Sequence, residues 1–146
     1  MKVKTRKYGE LTIDEDRILH MPKGLPGFPG LERFALLEDP KTAPFCWFQS
    51  IEEPDISLVV MNPFLFKPDY RIDHLDSVLS EMGWNSVKTE ELVIYVVVNI
   101  GTSGENKRIT ANLIGPIVIN PDTKEAVQVV MSDSDYSHQH NVLDPS

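Results

Sequence analysis

The hydrophobic positions fall into short runs separated by turn residues. Lys2-Val3-Lys4-Thr5-Arg6 alternates, Tyr8-Gly9 interrupts it, and Glu10-Leu11-Thr12-Ile13 alternates again. This predicts a β-hairpin with Val3, Leu11 and Ile13 turned inward. Ile18 to Met21 is a further short strand, stopped by Pro22, and Lys23 to Gly30 holds three glycines and two prolines, so it is a succession of turns anchored by Phe28. Phe34 to Leu37, Phe45 to Gln49 and Ile56 to Val60 are apolar runs of strand length divided by Asp39-Pro40 and Glu53-Pro54-Asp55, as in a meandering sheet. Leu92 to Val98 is β-branched and almost unbroken, which predicts a central strand covered on both faces. Arg108 to Leu113, Ile117 to Ile119 and Ala126 to Met131 supply the later strands, with Asn120-Pro121-Asp122 as the turn before the last.

One segment has helical spacing. Leu75, Val78, Leu79 and Met82 recur at i, i+3, i+4 and i+7, with Asp73 placed to cap the start, Asp76 one turn on and Gly83 past the end. A short amphipathic helix over about 73–83, lying on the sheet, is expected. Ser86 to Glu91 predicts one more helical turn, capped by Ser86. Many short strands, proline and glycine corners and a single helix describe a mainly β, single-domain fold of 1–140, a small β-barrel or folded sheet in which closure removes exposed edges. Residues 141–146 read as a frayed tail.

The decapeptide Met61-Asn62-Pro63-Phe64-Leu65-Phe66-Lys67-Pro68-Asp69-Tyr70 fits neither period. Its prolines exclude a regular helix or a central strand, leaving a shaped loop. In an extended chain Phe64 and Phe66 share one side and Leu65 takes the other, so at least one of these apolar side chains lies near the surface. Either the rest of the fold covers both sides, or the segment carries a contact surface.

Composition narrows the function. The 146 residues are 41% hydrophobic, enough for one core, and the formal charge is −8. That sign opposes direct nucleic-acid binding, which needs clustered Lys and Arg against phosphates, and it suits a basic protein partner. Cys46 is the only cysteine, so no internal disulfide and no thiolate cluster can form. Met1 to Arg6 has basic residues without a following apolar stretch, and no run reaches membrane-spanning length, so a cytoplasmic protein is expected.

Each candidate for chemistry has a plainer reading. Asp133 and Asp135 with His138 and His140 offer oxygen and nitrogen ligands, but their spacing matches no named metal site. Aspartates there are expected to bond turn backbone, with Tyr136 packing. Cys46, with His20 and His74 elsewhere, resembles a nucleophile and base, yet it sits in an apolar strand run where cysteine behaves as a small hydrophobe. The acids of Asp14-Glu15-Asp16 and Glu52-Glu53-x-Asp55 fall in predicted turns, where solvated carboxylates are the rule. Gly101-x-x-Gly104 lacks the lysine and the following helix of a phosphate loop. No catalytic, metal or cofactor site is therefore expected.

The decapeptide is similar to the PFLF-x-PDY signature of the FliW family of flagellar assembly factors. Gly24-Leu25-Pro26-Gly27-Phe28, Thr110 to Asn120 and Asp133-Ser134-Asp135-Tyr136-Ser137 match further family segments in order. The chain departs at Lys67, where the family often has an aromatic, and at Gly115, where it often has alanine. The resemblance implies a non-enzymatic cytoplasmic regulator that binds flagellin and, in competition, the RNA-binding translational repressor CsrA, and so relieves repression of flagellin mRNA. Asn62, Phe64, Phe66, Asp69 and Tyr70 are the expected partner-binding residues, with Asp73 beside them on a polar rim. The alternative, a small-ligand-binding or enzymatic β-barrel, requires a deep pocket with convergent polar groups.

Overall fold

The computed structural model describes residues 1–103 and 106–142; residues 104–105, including Gly104, and residues 143–146, part of the 141–146 tail expected to fray, lie outside them. The N-terminal hairpin is β1 (Lys2–Thr5) against β2 (Gly9–Thr12), with Val3 opposite Leu11. Val3 is buried and Leu11 and Ile13 partly so, while Thr5 Oγ1 closes the turn by donating to Gly9 O and accepting from Tyr8 N. The hairpin meets the rest of the fold through side chains: Tyr8 OH donates to Asp39 Oδ2 at 2.8 Å, and Lys7 Nζ lies 3.7 Å from the centre of the Trp47 ring.

The remaining strands form one sheet that closes on itself. β3 (Ile18–His20), β4 (Arg33–Glu38), β5 (Cys46–Ser50), β6 (Ser57–Met61) and β7 (Val93–Ser103) pair antiparallel in chain order. β9 (Ile117–Asn120) and β10 (Glu125–Gln128) complete the ring, β9 against Val93–Tyr95 of β7 and β10 parallel to β3 through Glu125 and His20. Seven strands thus make a closed barrel. The second half of β7 leaves the ring to pair with β8 (Asn106–Ala111), itself edged by the two-residue β11 (His140–Asn141). Asn141 pairs with Thr110 and Val142 N donates to Ile109 O, so the ordered chain runs beyond the predicted boundary at 140.

The barrel interior is filled. Phe34 stacks on Phe48 at 4.4 Å, surrounded by Leu19, Met21, Val60 and Ile117, all buried. Leu25 and Leu31 anchor the turn-rich segment there, with Phe28 only partly buried beside them, so the anchoring assigned to Phe28 falls mainly to its neighbours. On β7, Tyr95 and Val97 face this interior, whereas Ile94, Val96 and Val98 face a second cluster outside the barrel. The strand is covered on both faces only over that stretch; Val93 and Ile100 are exposed because it outruns the layers packed on it.

α1 (Leu75–Met82) lies over a third cluster of Trp84, Leu92, Val118 and Val127, into which Leu75, Val78, Leu79 and Met82 pack. Gly83 ends it at φ 73°, and Trp84 N donates back to Leu79 O, a closure that a left-handed glycine makes without strain. The start differs from expectation. The residue before the helix is His74, in left-handed backbone with no side-chain cap, and Asp73 is one position too early to reach the first turn. The second helical turn is a 3-10 turn at Thr89–Glu91 entered from extended Lys88, not capped by Ser86, because Val87 is drawn against the Trp84 cluster. At Gly115 a Cβ would sit 2.8 Å from Gln128 Nε2, which donates to Gly115 O, so this glutamine fills the space an alanine would need.

The acids around 52 are not simply solvated. Glu52 accepts from Glu32 N, Arg33 N and Arg33 Nε. Partial burial raises its pKa, but the Arg33 side chain and the backbone donors outweigh this and hold the carboxyl below its ordinary value. A group depressed on folding stabilises above its unfolded pKa and loses that contribution as pH falls through the folded value. Glu52→Gln is expected to lower stability by about 1 kcal/mol at neutral pH, with the deficit vanishing in acid; urea unfolding across pH checks this. Phe48→Ala is expected to cost about 3–5 kcal/mol in the same assay, because it opens a cavity in the barrel centre.

Candidate functional site

The segment after β6 is a loop, but not an extended one. Pro63–Leu65 form a 3-10 turn: Asn62 Oδ1 accepts from Phe64 N at 2.9 Å, Pro63 supplies the fixed φ of the first position, and Phe66 N and Lys67 N both donate to Pro63 O. The turn overrides the alternation expected of an extended strand, so Phe64 and Phe66 do not share a side. Phe64 is 38% exposed and Leu65, absent from the expected contact residues, is 61% exposed. The Asn62-Pro63 pair, a cap followed by proline, is the sequence signal that could have found this geometry.

Phe66 turns inward, partly buried against the cluster outside the barrel and stacked on His140 at 5.7 Å. Tyr70 is 3% exposed, and its hydroxyl donates to Leu113 O at 2.6 Å. Burial, with Tyr136 and Asp73 nearby, raises its pKa far above the ordinary phenol value, so it stays a donor. Phe64 and Tyr136 lean on its two sides at 6.0 and 4.9 Å, and Tyr136 OH accepts from Arg71 N. Tyr70 and Phe66 thus hold the loop down, while Asn62, Phe64, Leu65 and Asp69 present themselves to solvent. Asp69 pairs with Lys67 at 3.5 Å, its side chain almost fully exposed.

The other candidates are dispersed. His140 lies beneath Phe66 with Nε2 sealed from solvent and without a partner among the described residues. Burial first, then the Lys67 ammonium, holds its pKa below the usual imidazole value. The turn after Met131 is bonded by Ser134 Oγ and Ser137 Oγ, accepting from Tyr136 N and Gln139 N, and not by Asp133 or Asp135 as expected. Among the described residues no group of three His, Cys, Asp or Glu converges on one point. Burial and the nearby Glu38 raise the pKa of Cys46, the opposite of an activated thiol. Beside it Tyr95 is pushed up to about 12, chiefly by burial.

The cavities lie on the outside. One, of about 530 Å³, runs between the hairpin and β4; another, of about 390 Å³, lies between α1 and the chain following β10. With Phe34 and Phe48 occupying the barrel centre, the deep interior pocket that a ligand-binding barrel needs is filled. No helix among the described residues is long and apolar enough to cross a membrane.

Comparison with known proteins agrees with this architecture. A structure titled "Crystal structure of the flagellar assembly factor FliW" superposes with a TM-score of 0.84 over 97% of this chain and 96% of that one, at 29% identity. The flagellar assembly factor FliW of Treponema denticola is 36% identical over 143 residues, 98% of this chain and 94% of the relative. That of Moorella thermoacetica is 32% identical over 146 residues, 100% of this chain and 90% of its own length. The family model for FliW protein matches residues 2–142, so that fold, length and sequence agree from one end of the barrel to the other: the chain belongs to the FliW family of flagellar assembly factors.

Proposed function

We propose that this protein works in flagellar assembly as a non-enzymatic docking module, binding flagellin and, in alternation, the translational repressor CsrA. While flagellin is scarce the protein holds CsrA away from flagellin mRNA; flagellin that accumulates captures the protein and frees CsrA. The observation that carries this reading is the pair of exposed apolar side chains, Phe64 and Leu65, on a turn whose backbone is already fixed by Asn62, Pro63 and Tyr70. An anchor displayed on rigid backbone loses little freedom on docking, and apolar side chains with a charged neighbour such as Asp69 make a compact contact patch. The net charge of −8 favours encounter with basic surfaces and opposes direct contact with RNA, so an effect on mRNA runs through the repressor.

Alternating occupancy requires that the two partners overlap or couple negatively, and one shared loop supplies this most simply. Phe64→Ala, Leu65→Asp and Asp69→Lys, titrated separately with flagellin and with CsrA by calorimetry, are expected to weaken at least one partner by about tenfold or more. Unchanged affinity for both partners, with intact circular dichroism, rejects the loop as the contact. Tyr70→Phe is expected instead to lower folding stability by about 1–3 kcal/mol, because Leu113 O loses its buried donor. Its unfolding midpoint in urea measures that loss independently of any partner.

A further inference from the structure

β3 pairs with β10 only through Glu125, so beyond that point this side of β10 has no strand beside it. The chain continues extended past Gln128: Val129 N donates to Pro116 O and Met131 N to Ile114 O, two residues apart. In extended backbone the intervening N–H and carbonyl point the opposite way. Those of Val130 have no hydrogen-bond partner among the described residues, and its side chain is 63% exposed. Val127 to Ser134 form one wall of the 390 Å³ groove, and α1 forms the facing wall through Val78, Met82 and Glu81.

The rim of the groove is acidic. Asp73, Glu81 and Asp133 line it, and its one lysine, Lys23, is already paired with Glu81. A free strand edge, the apolar side chains of Val78, Met82 and Val130, and a negative rim together specify what fits.

We propose that this groove is a second protein-docking surface, which takes a short extended segment of alternating apolar and basic residues as an added strand along Val130. Backbone bonds to the Val130 N–H and carbonyl fix register, apolar side chains cover Val78 and Met82, and lysine or arginine meets Asp73 and Asp133, beside the paired Glu81. The surface is separate from the turn at 62–69 and does not depend on what binds there.

The test uses the full chain, ¹⁵N-labelled, titrated with a short acetylated peptide of alternating valine and lysine. Two control peptides carry glutamate for lysine or N-methylated amides at alternate positions. Saturable shifts centred on the Val130 amide are expected, with slowed hydrogen exchange there and neither control binding. Val130→Pro removes a donor the fold does not use, and Glu81→Lys with Asp133→Lys reverses the rim; each is expected to weaken the peptide by about tenfold or more. Absence of saturable shifts overturns the proposal. Equal binding to the Val130→Pro protein reduces the contact to charge alone and also overturns it. A concentration-dependent dimer in sedimentation, broken by Val130→Pro, assigns the edge to a second copy of this chain instead.

Discussion

β7 is the constraint on which the rest depends. It is hydrogen-bonded to β6, to β9 along its first half and to β8 along its second, so it belongs to the barrel and to the wall outside it. Its side chains divide accordingly: Tyr95 and Val97 fill the interior, while Ile94, Val96 and Val98 form the bed on which the 62–72 segment and the chain after β10 lie. The almost continuous β-branched run is needed for this, because a strand buried on both faces has no position left for a polar residue.

Tyr70 bonds Leu113, at the corner between β8 and β9; Tyr136 accepts from Arg71; and Asp73 N contacts Met131 Sδ. These contacts tie the exposed turn and the groove wall to the same cluster. Both surfaces are exposed, and both are anchored through buried Tyr70 and Met131.

The strands were largely legible because the turn residues dividing them are chemically distinct, and the helix because four apolar positions matched its period. What failed was local geometry decided by distant contacts. Nothing near Asp73 announces that His74 turns left-handed, and nothing in Phe64 to Phe66 states that one aromatic faces water and the other covers a histidine more than seventy residues away. Burial of Tyr70 was equally hidden, since a tyrosine at an interface and one bonded to an internal carbonyl are the same letter. Val130 escaped notice because the apolar run from Ala126 to Met131 reads as one strand, and only the partners of Val129 and Met131 show which edge stays open. A family resemblance points to segments of chain and carries no information on which of their side chains face outward.

The parallel contact of His20 with Glu125 joins a strand near the start of the chain to one near its end. Such a pairing cannot form on a ribosome until most of the polypeptide has emerged, and pairings between distant segments are slow to nucleate. A truncated translation product is therefore left as an open sheet with unsatisfied edges, a target for proteases before it can close.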